Sequence, residues 1–382
     1  MEQTNNNYLS TLTPLRGLAA LMVAIYHFED VVARFISPEQ TMFIRKAYLM
    51  VDLFFVLSGF IMLHVYGNTF EKGLTRVGVG NFLAARFARI YPLHLFSLLL
   101  LVGVFYASHA QPDPINDPAA IPSHLLLLHS FGVHPIFTWN VPSWSISAEW
   151  WAYLVFPLLV ILLSRYKIVA NIGMVMFAGI LYLSIVFLLP RTNFFAPGVP
   201  APQDLNVTYD YGFLRGLAGF VVGMLTYELF TLISLRQLFS RDLTALLFMG
   251  GTVFLLHLGV NDLLYIPAFA GLVLCLASNN AKMKSFLNIG PLQFLGNISY
   301  SIYLMHGLLL FWVAAPILVL NGYAYKGPGS LTISLSSGLL YCGIYLLAVL
   351  GVSTLTYYAI EKPCRNWINY KWARREKVPS LI

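Results

Sequence analysis

The chain has 382 residues, of which 58% are hydrophobic and 10% are charged, and its mean hydropathy is +0.72. Soluble domains carry about 25% charged residues, so this composition excludes an ordinary soluble protein. The formal net charge of +7 could indicate a nucleic-acid partner, but the basic residues fall mostly in short segments between apolar stretches, where membrane topology explains them better.

The apolar stretches indicate membrane-spanning helices. They recur from end to end at close to the ~20 residues that a helix needs to cross a bilayer, and the short alternating segments of a β-barrel are not seen. We therefore predict an all-α polytopic integral membrane protein with a single domain over residues 1–382. About ten transmembrane helices are predicted, over 12–29, 47–66, 88–107, 149–163, 169–189, 213–233, 243–260, 263–278, 298–320 and 333–357.

Positive charge predicts the orientation of these spans. An even number of spans places both termini on one side, and the connections then alternate between two sides. The side that includes both chain ends carries most of the lysines and arginines, including those of the basic tail over 361–382. Because such residues concentrate in cytoplasmic loops, both termini are predicted to be cytoplasmic. The long connection over 108–148 holds no lysine or arginine, as expected of an outer loop.

The first predicted span places two ionisable side chains inside the membrane. Arg16 and His27 are eleven residues apart, and eleven steps of about 100° return to within about 20° of the starting direction. Both side chains are therefore predicted to share one helix face, roughly 16 Å apart. Ionisable residues within spans are costly and indicate function by default. Arg16 could instead be a boundary residue whose side chain reaches the lipid headgroups.

His27 is the best candidate for a catalytic base, because a neutral imidazole can accept a proton near neutral pH. The alternative is a packing histidine bonded to a neighbouring helix. Asp52 and Glu149 are predicted to enter the membrane from the outer side, within reach of His27. Glu149 also has a structural interpretation, in the first turn of a helix that Ser145 or Ser147 caps.

Two further patterns concern helix contacts and anions. Ser58 and Gly59 are small residues within the second span, which predicts a close helix contact.

Arg86 and Arg89 are three residues apart and roughly share a face at one end of the third span, which suits the binding of phosphate oxygens. The alternative for the two arginines is an ordinary positive flank of a cytoplasmic loop.

Several other chemistries lack support in the sequence. His124, His129 and His134 are five residues apart, which would spread them around a helix, and no H-E-x-x-H or Cys-His set exists, so no metal site is predicted. No G-x-S-x-G, phosphate-loop or dinucleotide motif is present. A flippase or exporter of glycan intermediates remains the alternative class, with the intramembrane charges lining its pathway.

Six sequence blocks, taken in order, resemble the membrane acyltransferase-3 family over roughly residues 10–367. They are LRGLAAL from Leu15 with His27, VDLFFVLSGF from Val51, RFARIYP from Arg86, PSWSISAEW from Pro142, LGNISYSIYLMH from Leu295 and IEKP from Ile360. Bacterial members of that family O-acylate polysaccharides, lipid-linked glycans and related hydroxyl compounds.

The resemblance implies an enzyme, an O-acyltransferase and most simply an O-acetyltransferase, in a bacterial inner membrane. It implies acetyl-CoA as a donor that approaches from the cytoplasm, with Arg86 and Arg89 near its phosphates. It also implies His27 as the catalytic residue and Arg16 as its partner on the donor path. Whether His27 is a general base or briefly carries the acyl group stays open. Asp52 and Glu149 complete the predicted catalytic set, and no metal is expected.

The implied acceptor is an exopolysaccharide or its lipid-linked precursor, modified on the outer side of the membrane. Some members of the family carry an additional C-terminal esterase-type domain that helps to pass on the acyl group. This sequence stops shortly after the last block. The expectation is therefore direct acylation of the acceptor or a separate partner protein.

Overall fold

A computed structural model describes residues 9–109, 111, 113–190, 202–323 and 331–376. In these ranges the chain is helical, and the β-type pairing is confined to an isolated bridge between Arg34 and Thr332. The helices, in chain order, are α1 Leu12–His27, α2 Met50–Phe70, α3 Arg76–Ala107, α4 Ile121–Leu125, α5 Trp144–Arg165, α6 Lys167–Phe187, α7 Gly212–Thr231, α8 Ile233–Phe239, α9 Asp242–Leu258, α10 Tyr265–Ser278, α11 Lys282–Leu287, α12 Gly290–Asn297, α13 Ser299–Leu309, α14 Ala315–Leu320, α15 Leu335–Thr356 and α16 Lys362–Glu376.

The predicted all-helical class is confirmed, and each predicted span overlaps a helix. Six helices within the described ranges are long and apolar enough to cross a membrane: Ala47–Phe70, Arg76–Ala107, Val141–Arg165, Lys167–Phe187, Gly212–Thr231 and Leu335–Trp372. A seventh is obtained if α8 and α9, which meet at 73°, count as one span. The other predicted spans lie on shorter or interrupted helices, so the number of ten and the orientation stay predictions.

Helices α2 and α7 approach each other closely through glycines. A Cβ atom on Gly59 would lie 1.8 Å from the carbonyl oxygen of Phe220, and one on Gly223 would lie 2.1 Å from the carbonyl oxygen of Val56. No side chain fits at either position, because real Cβ contacts are not this short. The close helix contact predicted at Ser58 and Gly59 is therefore confirmed.

Helix α1 packs against α12 in the same manner. A Cβ atom on Gly17 would lie 2.7 Å from the backbone nitrogen of Gly296, and one on Gly296 would lie 2.1 Å from the carbonyl oxygen of Thr13. This contact fixes the turn of α1 that carries Arg16. Beyond His27, α1 continues into a π-helical turn over Phe28–Val32.

The last apolar helix also contains a π-helical turn. Helix α15 continues through Tyr357–Glu361 into α16. The widened turn brings Glu361, which is 1% exposed, against α3 and α13, where Arg89 and Ser301 contact it. Inserted turns of this kind are frequent at functional sites. Further along, the Trp372 Nε1 atom donates to Asn81 of α3 at 2.7 Å.

Candidate active site

Three arginines from two helices stand between two adjoining cavities. Arg16 of α1 and Arg86 and Arg89 of α3 line both cavities. The first cavity is also lined by Ser58, Glu149, Tyr153, Tyr300 and Tyr303, and the second by Asn297, Tyr357, Arg365 and Asn369. Because the arginines belong to both linings, the two cavities adjoin at a cationic centre.

Arg16 has fewer hydrogen bonds and ion pairs within the described ranges than Arg86 or Arg89. Among the described residues, no hydrogen bond or ion pair to its side chain is found. Its guanidinium faces the cavities, which favours a role in a site over the alternative of a lipid-facing boundary residue. A cation within a bundle requires an opposite charge, and an anionic ligand would supply one.

Arg86 and Arg89 have different partners. Arg89 forms an ion pair with Glu361 and lies over the ring of Tyr300, with 5.5 Å from its Cζ to the ring centroid. Arg86 donates to the hydroxyl of Tyr66 at 3.1 Å and has no carboxylate partner among the described residues. Its Nε atom is buried without a hydrogen-bond partner. Of the predicted pair, Arg86 therefore retains unused donor capacity at the cavities.

Glu149 belongs to the first cavity and is held by neighbouring hydroxyl groups. Its carboxylate accepts from Ser58 at 2.7 Å and from Tyr153, which lies one turn further along α5. Both donors line the cavity. Glu149 thus lies with the arginines, and no contact between Glu149 and His27 is found in the described part of the chain.

The predicted serine cap of this helix is wrong. The turn Val141–Ser143 contains Pro142 and begins the helix earlier than expected, so Glu149 falls beyond the first turn. Ser145 donates instead to the hydroxyl of Tyr303 at 2.8 Å. Ser147 donates to the carbonyl oxygen of Leu127 at 2.6 Å.

His27 lies against a second histidine. Its Nδ1 atom is 3.0 Å from the carbonyl oxygen of Val23 and 3.2 Å from Nε2 of His306 on α13. Neither cavity includes His27, but Tyr303 lines the first cavity and its ring centroid lies 5.7 Å from that of His306. Arg16 and His27 thus occupy separate parts of the site, with Tyr303 and His306 between the first cavity and His27.

Asp52 is not beside His27, and the predicted partnership between the two is corrected by the structure. Asp52 is fully buried and binds Arg215 of α7 through both carboxylate oxygens, at 3.1 Å from Nε and 2.6 Å from Nη2. Arg215 also donates to the carbonyl oxygens of Tyr48 and Val207. Asp52 and Arg215 neutralise each other's charge, and their contact joins α2 to α7.

Two of the three histidines that are spaced by five residues, His124 and His129, lie close to His94. His94 of α3, His124 and His129 have nearly parallel rings, with 4.0 Å between the centroids of His124 and His129. The assumption of one helix was wrong here, because α4 ends at Leu125. Burial lowers the pKa of His129 to about 3 and, together with the charge of His129, lowers the pKa of His124 well below its usual range. Both are therefore neutral at pH 7.

Sequence reasoning missed several of the side chains that complete these contacts. His306, Ser301 and Glu361 all lie in quoted blocks, LGNISYSIYLMH and IEKP, but their partners are distant in the sequence. Tyr153 follows Glu149 by four residues, a spacing that places both on one helix face and could have indicated the pair. Within the described ranges, no group of three or more His, Cys, Asp or Glu residues is arranged to hold a metal ion.

A family model described as an acyltransferase domain matches residues 12–358. Of the residues that line the cavities or contact their arginines, Glu361, Arg365 and Asn369 lie outside this match. The chain belongs to the acyltransferase-3 family. It is therefore an acyltransferase, and its apolar helices agree with the membrane location of this family. No solved structure matches the chain significantly.

Relatives of this acyltransferase-3 protein include named acyltransferases. It is 38% identical to "Protein 2 in picA locus" of Rhizobium radiobacter over 31% of this chain and 57% of that protein. It is 35% identical to "Acyltransferase MdmB" of Streptomyces mycarofaciens over 39% of this chain and 38% of that protein. With "Peptidoglycan O-acetyltransferase OatA" of Listeria monocytogenes the identity is 22%, over 79% of this chain and 49% of that protein. The matches thus cover less than two thirds of each of these relatives.

Proposed function

We propose that this acyltransferase is a transmembrane O-acyltransferase, with acetyl-CoA as its donor and a hydroxyl of an exopolysaccharide or lipid-linked glycan as its acceptor. The observation that carries the proposal is the group of three arginines between two cavities, of which Arg16 has no partner among the described residues. The name of the Listeria relative supports O-acetyl transfer to a glycan, but the acceptor of this chain is our inference.

The donor is proposed to bind through its phosphates. Arg16, Arg86, Arg89 and Arg365 line the second cavity, and Glu361 is the carboxylate that contacts two of them. This excess of positive charge favours an anion, and planar guanidinium groups suit phosphate oxygens. The CoA phosphates would occupy the second cavity, and the thioester arm would extend past Arg16 into the first.

The chemistry is proposed to take place at His27. Its Nε2 atom has no hydrogen-bond partner among the described residues, so its lone pair is available as a general base or as an acyl carrier. Glu149 would hold Ser58 and Tyr153 in position along the donor arm. Asp52 would act at a distance, by fixing α2 through Arg215.

The arrangement in the membrane is also proposed. Ten spans with both termini in the cytoplasm would place the second cavity, which α16 helps to line, on the cytoplasmic side with the donor. The acceptor would then approach from the outer side of a bacterial inner membrane, with or without a separate partner protein that passes on the acyl group. One integral domain would bind the donor and transfer its acyl group to the acceptor.

Acyl transfer by purified protein tests this function. With labelled acetyl-CoA, the wild-type protein in lipid nanodiscs should hydrolyse the thioester slowly or transfer acetyl to an added glycan. His27→Ala should reduce this rate by at least about 100-fold, because a general base contributes about 10²–10⁴-fold. His257→Ala, at an exposed histidine of α9, is the matched control and should keep the wild-type rate. Full transfer by the His27→Ala protein, or lipid-linked glycan translocation without any thioester cleavage, would overturn the proposal.

Donor binding by the arginines is tested with the same proteins. Arg86→Gln should weaken acetyl-CoA binding by about 10-fold or more, since a charge-assisted hydrogen bond contributes ~1.5–3 kcal/mol. Arg165→Gln, at the end of α5 and outside both cavities, is the control for net charge. Equal donor affinity of the two variants at low salt would mean that Arg86 has only a topological role.

A further inference from the structure

The two histidines at the proposed reaction centre form a defined pair. His306 is fully buried, and its ring centroid lies 5.0 Å from that of His27 with 40° between the ring planes. The Nε2 atom of His306 is 3.2 Å from Nδ1 of His27. One of these nitrogens must donate and the other accept, because two lone pairs or two N–H groups would repel at this distance.

Two backbone carbonyls decide which nitrogen donates. Nδ1 of His27 is 3.0 Å from the oxygen of Val23, and Nδ1 of His306 is 3.3 Å from the oxygen of Ile302. Carbonyl oxygens only accept, so each Nδ1 carries a proton when these contacts are satisfied. Nε2 of His306 then holds a lone pair that accepts from Nδ1–H of His27, and this proton is shared with the carbonyl oxygen of Val23 in a bifurcated hydrogen bond. The opposite assignment would place lone pairs against both carbonyl oxygens.

We propose that His306 is the positioning residue of the reaction and, together with the carbonyl oxygen of Val23, holds His27 in the tautomer whose Nε2 lone pair is free to take a proton. The inference rests on the proposed function and identifies what sets the tautomer of the catalytic base. The arrangement follows the general logic of a base that a third group orients. Here the orienting group is a neutral imidazole.

In the proposed step, Nε2 of His27 takes the proton of the acceptor hydroxyl while the hydroxyl oxygen forms a bond to the acyl carbonyl carbon of the thioester. The carbon–sulfur bond then breaks, and the thiolate of CoA receives that proton from Nε2–H. His306 keeps its protonation state throughout, and its Nε2 lone pair stabilises the positive charge on His27 between the two proton transfers.

The surroundings of the pair fix its geometry. The hydroxyl of Tyr345 donates to the backbone oxygen of His306 at 3.0 Å, which anchors this turn of α13 to α15. The rings of Tyr26 and Tyr303 pack against His27 and His306 respectively. Asp30 is the carboxylate that acts on His27 through its charge. The pH dependence of the reaction rate therefore reports the protonation of His27 with Asp30 and these tyrosines near the histidine pair.

The tautomer of His27 tests the proposal without any activity measurement. In protein labelled with ¹⁵N-histidine, His27 should give the NMR shifts of an Nδ1–H, Nε2-unprotonated ring in the wild type. His306→Phe keeps an aromatic ring but removes one of the two acceptors of Nδ1–H, so the Nε2–H form should gain population. His306→Gln supplies an acceptor oxygen and should restore the wild-type tautomer in part. An Nε2–H ring in the wild-type protein would overturn the proposal.

Kinetics provide the second measurement. His306→Phe should lower kcat by about 10-fold or more with acetyl-CoA affinity unchanged, and His306→Gln should recover part of kcat. His257→Phe is the matched control and should keep the wild-type kcat. An unchanged kcat in a folded His306→Phe protein would contradict the assignment. If no variant and no wild type transfers acetyl, the proposed function fails, whereas the tautomer measurement still decides the role of His306.

Discussion

Two arginines, Arg215 and Arg16, show how the role of a charged residue depends on its partners. Arg215 binds Asp52 through two nitrogens and also donates to two backbone carbonyls, so its charge is neutralised and four of its five N–H groups are used. Arg16 has no such partner among the described residues and lines two cavities. The first arginine therefore joins helices, and the second is available to an anion.

This difference leads to a prediction for the Asp52–Arg215 pair. Asp52→Leu or Arg215→Met alone should destabilise the protein by about 3–5 kcal/mol, because each leaves an unpaired charge in the core. The double variant should regain most of this loss, since two apolar groups can pack where the pair was. Thermal unfolding followed by fluorescence-detected size exclusion measures all three.

Arg165→Met provides the control, because this arginine lies at the end of α5 without a carboxylate partner in the described ranges, and its unfolding temperature should not change. Single Asp52 or Arg215 variants that melt like the wild type would contradict the structural role. A stable double variant without acyl transfer would instead give Asp52 a direct part in the chemistry.

At the scale of elements, the contact between α2 and α7 depends on the absence of side chains. Gly59→Ala should lower the unfolding temperature, because the added methyl group would lie 1.8 Å from the backbone oxygen of Phe220 and the helices must separate. Gly179→Ala in α6 is the control, since nothing lies within 4 Å of its Cβ position. It should leave stability unchanged or slightly raised. Equal melting of the two variants would mean that the helices can move apart without loss.

The elements also show what the sequence could and could not predict. Helices were predictable because long apolar stretches must satisfy their backbone groups internally. The start of α5 was not, because the turn at Pro142 begins the helix before the apolar stretch. Arg16 and His27 were predictable from the cost of polar residues in a membrane. Their neighbours were not, since His27 and His306, and Arg89 and Glu361, meet only in the folded chain.

At the scale of the whole molecule, the predicted orientation can be measured by labelling. Val133 lies in the predicted outer connection and Lys284 in a predicted cytoplasmic one, and both are exposed. Each is replaced by cysteine, as Val133→Cys and Lys284→Cys. With Cys364 replaced by Ser to remove the most accessible native thiol, an impermeant maleimide should label position 133 in intact cells. Position 284 should react only after the membrane is opened. The reverse pattern would invert the topology and move the donor to the other cavity.

In the proposed arrangement, the three guanidiniums between the cavities would also oppose the leakage of cations across the membrane. An opening that admits a donor from one side and faces an acceptor on the other is a potential leak for protons and sodium ions. A fixed positive charge about 8 Å away raises the energy of such an ion by about 2 kcal/mol at an effective dielectric constant of about 20, and the arginines act together. Water channels use an arginine for the same exclusion. In that arrangement, the charges that attract the anionic donor would also help to preserve an ion gradient.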